Sequence, residues 1–186
     1  MIYTGIGSRE TPNHILDIMT TISKLLDNHG FVLRSGGADG ADTAFATGST
    51  NQDIYVPWKN FNKVKNGIFT GNVEEGMQLA SKLHPAWERC SLGAKKLHSR
   101  NTFQILGPDP ISNPIKTKFI VCYTKNAEII GGTATAIKLA LQNDIPIFNL
   151  GMYDNFQDFV GEFQSLEECV MKDFELFLNE NSIYFS

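Results

Sequence analysis

The chain is poor in cysteine and in long apolar runs, and each shortage excludes a class of protein. Its 186 residues include three cysteines, Cys90, Cys122 and Cys169. Because they are odd in number and widely spaced, neither a disulfide framework nor a zinc knuckle is indicated, and we predict reduced structural thiols and no metal site. No apolar run reaches the roughly 18 residues that span a bilayer, and the first residues do not resemble a signal peptide. We therefore expect a cytoplasmic protein with no membrane partner.

Two common nucleotide-binding signatures are also missing. No strand is followed by a G-x-G-x-x-G turn with an acid about twenty residues later, as nicotinamide-binding proteins require. No G-x-x-x-x-G-K-[ST] loop is present, which argues against a P-loop nucleotide hydrolase. We accordingly predict no cofactor.

Excess positive charge is lacking as well. The chain has 16 lysines and arginines against 20 acids, a net charge of -4, which argues against a duplex-binding protein because lysine and arginine dominate binding to phosphate backbones. The charge is uneven, however: residues 89–118 carry a local charge of +5, and residues 151–186 carry -7. A cationic middle within an acidic protein suits a small anionic ligand better than a long polyanion. The alternative is that both clusters are solvated helix faces.

Short apolar runs alternate with segments of helical periodicity. The runs are continuous rather than alternating, which is typical of a parallel sheet covered on both faces. We predict an α/β protein, a Rossmann-like three-layer sandwich, forming a single domain over residues 1–186. The predicted strands are 2–6, 31–34, 53–58, 119–123 and 145–150. The predicted helices are 12–28, 38–47, 74–89 with an interruption at His84-Pro85, 92–105, 132–142 and an amphipathic C-terminal helix over 155–180.

Three glycine-containing turns follow predicted strands, at residues 5–9, 35–42 and 131–133. Glycine lets backbone amides approach a ligand closely, and the helix that follows directs its positive dipole end toward the same point. In a doubly wound sheet the ligand lies outside the carboxyl ends of the strands. The turns therefore predict one phosphate-bearing ligand that is held from several sides, with Gly7, Ser8 and Arg9 contributing from the first turn.

These turns, taken in order, resemble the SLOG superfamily of Rossmann-like nucleotide-binding proteins. The motifs are Gly-x-Gly-Ser-Arg at 5–9, Ser-Gly-Gly-Ala-x-Gly-Ala-Asp at 35–42, and Gly-Gly-Thr at 131–133. That superfamily includes the DNA-processing protein A family, the LONELY GUY phosphoribohydrolases and ligand-sensing domains of bacterial antiphage effectors. Small stand-alone DprA-like members, often encoded by phages, are the most similar in organisation. The resemblance covers most of residues 1–150.

The resemblance implies roles for individual residues. Ser35, Gly36 and Gly37 match the phosphate loop of the DNA-processing family. A second phosphate loop corresponds to residues 131–133, contributed by Gly131, Gly132 and Thr133, with Thr135 adding a hydroxyl group. The segment 97–101 is similar to the Met-His-x-Arg-Lys motif of the phosphoribohydrolases, which implies that Arg100 contacts phosphate, with Asn101 beside it.

One departure from the phosphoribohydrolases bears on catalysis. Their second loop carries a pair of glutamates, the first of which acts on the ribose and the N-glycosidic bond, and Ile137 and Lys138 occupy those positions here. Without that carboxylate, the charge that develops at the sugar has no stabiliser. Hydrolysis would then require another acid, either Glu128 or one of Asp39 and Asp42, which are the better candidates because they lie on the ligand loop. The alternative role for either aspartate is to cap the helix that begins there, which stabilises by about 1 kcal/mol.

Three functional hypotheses follow. The first is a sensor, carrier or sequestering protein that binds a nucleotide or a nucleotide-derived small molecule. The second is a hydrolase that cleaves a nucleotide N-glycosidic or phosphate bond with Asp39 or Asp42 as the catalytic carboxylate. The third is a DprA-like mediator of recombination that binds single-stranded DNA, a nucleic-acid partner that the net charge opposes. The resemblance also implies a homodimer or another homo-oligomer, and the phenylalanine stripe of 155–180 is either core or a dimer face.

Overall fold

A computed structural model of the chain describes residues 1–65, 67 and 71–153. Strands and helices alternate through this part of the chain, as the sequence predicts. The strands are β1 (Ile2–Gly7), β2 (Val32–Ser35), β3 (Gln52–Ile54), β4 (Ile120–Tyr123) and β5 (Ile147–Asn149). The helices are α1 (Asn13–Asn28), α2 (Ala41–Gly48), α3 (Val73–Leu83), α4 (Leu92–Leu106) and α5 (Ala134–Leu141). The predicted helix over 155–180 lies outside the described residues.

The five strands form one sheet in the order β3-β2-β1-β4-β5, and all four neighbouring pairs are parallel. Parallel neighbours require a crossover connection. Here α1 connects β1 to β2, α2 connects β2 to β3, and α5 connects β4 to β5. This topology confirms the predicted α/β, Rossmann-like sandwich.

Alternate residues of the central strands enter two separate cores. Tyr3 of β1 and Val121 of β4 pack in the same apolar cluster as Ile22 of α1 and Phe45 of α2. The other face of these strands supplies a second cluster, which it shares with α3, α4 and α5 and which includes Ile6, Ile120, Cys122, Ile105 and Ile137. Since side chains alternate along a strand, one short apolar run serves both layers of helices. Burial raises the pKa of the Cys122 thiol to about 12, which fits the predicted structural thiol.

The predicted start of the second helix is wrong. The first helix begins at Asn13, one residue after the predicted position, with Pro12 at its N-cap. The second begins at Ala41 rather than near residue 38, since Gly37 and Gly40 have φ of +64° and +78°. Neither Asp39 nor Asp42 is its N-cap, a position that Gly40 occupies without a side-chain hydrogen bond.

Other predicted bounds agree with the structure to within a few residues. The interruption predicted at His84-Pro85 is confirmed, because α3 ends at Leu83 and His84 has the extended conformation favoured before proline. The third strand is shorter than predicted and ends at Ile54, while α5 starts at Ala134, after the glycine pair. No helix within the described ranges is both long and apolar enough to cross a bilayer.

Candidate ligand-binding cleft

A cleft of about 570 Å³ opens at the carboxyl ends of β1 and β4. From β1 the strand order runs to β2 on one side and to β4 on the other, so this is the position at which the order reverses. Open α/β sheets bind ligands at such a position. The walls come from the turn after β1, the start of α2, one face of α4 and two segments of the connection from β4 to α5, residues 124–125 and 130–133.

Most of the residues predicted from the sequence meet at this cleft. Those that line it are Gly7, Ser8, Arg9, Asp42, Arg100, Asn101, Gly131, Gly132 and Thr133. The residues that do not line it are Ser35, Gly36, Gly37, Asp39 and Thr135. The structure thus brings together the first and third predicted turns with α4, whereas most of the second turn lies outside the lining.

The centre of the cleft wall is a buried ion pair. A terminal nitrogen of Arg100 lies 3.2 Å from Oδ2 of Asp42, and the side chains are 8% and 4% exposed. The same carboxylate accepts a hydrogen bond from the Ala38 N–H at 3.2 Å. Burial raises the pKa of Asp42, and the Arg100 guanidinium and the Ala38 N–H oppose that rise. Asp42 is therefore engaged in holding Arg100 in the wall.

Arg100 fits there because residue 36 has no side chain. A Cβ at Gly36 would collide with the guanidinium of Arg100. With the Gln104 amide oriented to satisfy its neighbours, its oxygen accepts from the Gly36 N–H at 2.9 Å and from Nη1 of Arg100 at 3.1 Å. Gly36, which was predicted to contact a phosphate, thus makes room for the Arg100 side chain. Its N–H already donates to a protein partner, Gln104.

The rest of the second turn is likewise occupied by protein contacts. The Ser35 hydroxyl is fully buried and donates to the carbonyl of Gly5 at 2.7 Å. The Gly37 carbonyl accepts from the side-chain amide of Asn62 at 3.2 Å, and a Cβ at Gly37 would press on Val64. This turn supports the wall of the cleft from behind.

Asp39 lies apart from the ion pair. It is exposed and lines a separate, shallower depression with Asp17 and Thr20 between α1 and α2. Of the two aspartates proposed for catalysis, only Asp42 reaches the main cleft.

The turn before α5 presents an open backbone to the cleft. Gly131 has φ of +70°, and a Cβ built on Gly131 or Gly132 would meet no atom within 4 Å. The Asn101 side-chain amide fixes this turn by donating to the carbonyl of Gly132 at 2.7 Å. The N-terminus of α5 follows at Ala134, which adds a positive dipole end on this side.

The turn after β1 is held against the start of α2. The Ala41 N–H donates to the Ser8 carbonyl at 3.3 Å, and a Cβ at Gly40 would lie 2.8 Å from the carbonyl oxygens of Ser8 and Arg9. Burial lowers the pKa of Arg100, and the positive charge of the exposed Arg9 adds to that decrease. Two arginines thus act on the same region of the cleft.

Sequence reasoning missed a cluster beside the cleft that joins His84, Cys90 and His98. His98 lines the cleft, and its Nδ1 lies 2.8 Å from the hydroxyl oxygen of Thr135. Burial, together with the charges of His84 and Arg100, lowers the pKa of His98 from its ordinary value. The one available signal in the sequence was a His-x5-Cys-x7-His spacing across the end of α3 and the start of α4.

Comparisons with known proteins do not assign the chain to a family. A scan against protein-family models, a search of curated proteins and a search of solved structures each found no match.

Proposed function

We propose that the chain binds a nucleotide or a nucleotide-derived small molecule in this cleft, with the phosphate between Arg100, Arg9 and the 131–133 turn. One observation carries the proposal: Arg100 and the exposed Arg9 line the same cleft as the open backbone of Gly131 and Gly132. Arginine forms charge-assisted hydrogen bonds with phosphate oxygens, and a glycine backbone lets a phosphate approach closely. An anionic ligand in this cleft would meet both.

The charge of the cleft favours an anion. Its lining holds three cationic side chains, Arg9, Arg100 and Lys125, against the carboxylates of Glu10 and Asp42. Because Asp42 is already paired with Arg100, the exposed charges that remain are two cations and Glu10. The backbone at Gly131 and Gly132 is open, which lets a ligand approach its uncharged groups closely.

The size of the cleft favours a small ligand over a polymer. Its volume of about 570 Å³ falls within the roughly 300–1,000 Å³ of ordinary small-molecule sites. A nucleotide fits such a volume, whereas a single strand of nucleic acid requires an extended basic groove. We therefore favour nucleotide binding over DNA binding, in agreement with the net charge of -4.

The carboxylates favour holding the ligand over cleaving it. Glu10 and Asp42 are the acids that line the cleft among the residues that the structure describes, and Asp42 is bound to Arg100 and Ala38. Ile137, at the position of the missing glutamate, is 2% exposed and packs in the core behind the cleft. We therefore favour a sensor, carrier or sequestering protein over a hydrolase.

The experiment that tests this function begins with the purified chain. The protein is denatured, the released small molecules are identified by mass spectrometry, and the identified compound is returned to fresh native protein. We expect a phosphate-bearing nucleotide that is recovered unchanged after incubation. A cleaved product that Asp42→Asn abolishes would instead establish the hydrolase, and tight single-strand binding in a low-salt gel shift would establish the recombination mediator.

A further inference from the structure

The turn between α3 and α4 gathers three metal-binding side chains at one place. His84 is the residue after α3, Cys90 follows the short 3-10 turn Trp87–Arg89, and His98 lies on α4. Pro85 ends α3 and Ser91 caps α4 by accepting from the Ala94 N–H at 3.2 Å, so the chain reverses between the two histidines. The reversal brings the three side chains together.

The spacing of these side chains is close to that of a metal site. One potential ligand atom from each residue lies within 4.8 Å of the other two. Sγ of Cys90 lies 3.6 Å from Nδ1 and 3.9 Å from Nε2 of His84. Tetrahedral zinc, with Zn–S of about 2.3 Å and Zn–N of about 2.0 Å, separates sulfur from nitrogen by about 3.5 Å.

The surroundings of His98 also suit a metal ligand. In the tautomer that leaves Nε2 free for a metal, Nδ1–H donates a hydrogen bond to the Thr135 hydroxyl oxygen at 2.8 Å. Metal-bound histidines usually have such a partner, because it fixes the ring and the tautomer. The rings of His84 and His98 lie 4.4 Å apart between centroids, and all three side chains are half-buried, which leaves a path for an ion.

We propose that His84, Cys90 and His98 bind a zinc ion. A thiolate with two imidazoles is a donor set that zinc prefers, and three protein ligands leave a fourth position for water or an anionic group. The Cys90 thiol, which lies 3.6 Å from the Ala86 carbonyl oxygen, releases its proton when the metal binds. Because His98 also lines the main cleft, the proposed ion lies beside that cleft.

Cobalt titration of the chelator-treated full chain, under reducing conditions, tests the proposal. We expect one Co²⁺ per chain, a thiolate-to-cobalt charge-transfer band and its loss on adding Zn²⁺. Cys90→Ser should abolish the band. Thr135→Val, which removes only the group that orients His98, should weaken binding about 10- to 100-fold.

Two matched controls separate this site from other thiols and imidazoles. Cys169→Ser and His29→Gln change the same residue types elsewhere in the sequence and should leave the band and stoichiometry unchanged. Since Cys90→Ser could fail to fold, alkylation of wild-type Cys90 provides a second measurement, and zinc should slow it. The absence of a band in the wild-type chain, a band that persists in folded Cys90→Ser, or alkylation that zinc does not slow would overturn the proposal.

Discussion

The residues at the centre of the cleft form one interdependent unit. Arg100 is held by Asp42 and Gln104, and the missing side chain at Gly36 makes room for it. A buried guanidinium is tolerable only while a carboxylate compensates it. The ability of Arg100 to face a ligand therefore depends on residues that need not touch the ligand themselves.

Removing the carboxylate should destabilise the protein strongly. We expect Asp42→Ala to lower the free energy of unfolding by about 3–5 kcal/mol, because it leaves the Arg100 charge buried and unpaired. The double variant Asp42→Ala with Arg100→Met should recover much of that loss, since it removes both charges. Urea unfolding measures the free energy of unfolding of the single and the double variant. A loss below about 1 kcal/mol in Asp42→Ala would contradict a buried ion pair.

A methyl group at Gly132 should separate binding from folding. Its Cβ would meet no atom within 4 Å, and its φ is not positive, so Gly132→Ala is compatible with the fold. If the ligand phosphate approaches this backbone, the added carbon should weaken nucleotide affinity about tenfold or more, equivalent to about 1.4 kcal/mol. Titration calorimetry with the co-purifying nucleotide measures the effect.

Gly93→Ala is the matched control for this change. It makes the same substitution in the first turn of α4, where the new Cβ would meet only Ser91 Oγ at 3.9 Å, and Gly93 does not line the cleft. Its affinity should equal that of the wild type. Equal losses of affinity in the two variants, or none at Gly132, would remove the 131–133 turn from the phosphate site.

At the scale of elements, α1 and the end of α2 are joined by a polar connection as well as by apolar packing. Asp27, in the last turn of α1, accepts hydrogen bonds from the Ser49 and Thr50 hydroxyls and from the N–H groups of Thr50 and Asn51. These bonds, most of all the one from the Thr50 hydroxyl, lower the pKa of Asp27. The carboxylate thus fixes the turn that leads from α2 into β3.

This connection should depend on pH. A carboxyl whose pKa is lowered by folding stabilises the protein above its unfolded pKa, and that contribution disappears as the pH falls through the folded pKa. We expect Asp27→Asn to melt below the wild type at pH 7. The difference should shrink as the pH falls below about 4, the ordinary range of aspartate. Thermal melts across this range measure it, and a gap that stays constant with pH would show that the charge of Asp27 is not responsible.

Element positions were easier to predict than the starts of helices. Apolar runs located all five strands and the proline at 85 located the end of α3, because burial and proline geometry act locally. The start of α2 was misplaced, since small residues at 38–40 fit a helix while Gly37 and Gly40 adopt positive φ. The backbone there lies close to Ser8 and Val64, which are distant in sequence and leave no room for a side chain.

For the whole molecule, the fold class and much of the cleft followed from the order of elements. In a doubly wound sheet the turns after the first and fourth strands meet at the switch point. The sequence alone could therefore predict that Arg9 and Gly132 lie in one cleft. The contact between Gly36 and Arg100 could not be predicted. Only the packing of α4 reveals that Arg100 fills the space where a side chain at residue 36 would lie. The cluster of His84, Cys90 and His98 was missed for the same reason.

Ligand binding should stabilise the whole fold. A compound that binds only the native state raises the free energy of unfolding by about 2.7 kcal/mol at 100 times its Kd. We expect the co-purifying nucleotide to raise the melting temperature of the stripped chain in a concentration-dependent manner. An unchanged melting temperature across the titration would contradict binding to the folded protein.

The most direct test of the phosphate site compares each nucleotide with its own nucleoside. Titration calorimetry of the stripped wild-type chain would use a panel of nucleoside monophosphates and diphosphates alongside the corresponding nucleosides. Hydrogen bonds to charged groups contribute about 1.5–3 kcal/mol each, so we predict that at least one nucleotide binds and that its nucleoside binds at least about tenfold more weakly. A panel in which no nucleotide binds, or in which nucleosides bind as tightly as nucleotides, would contradict the assignment of the cleft.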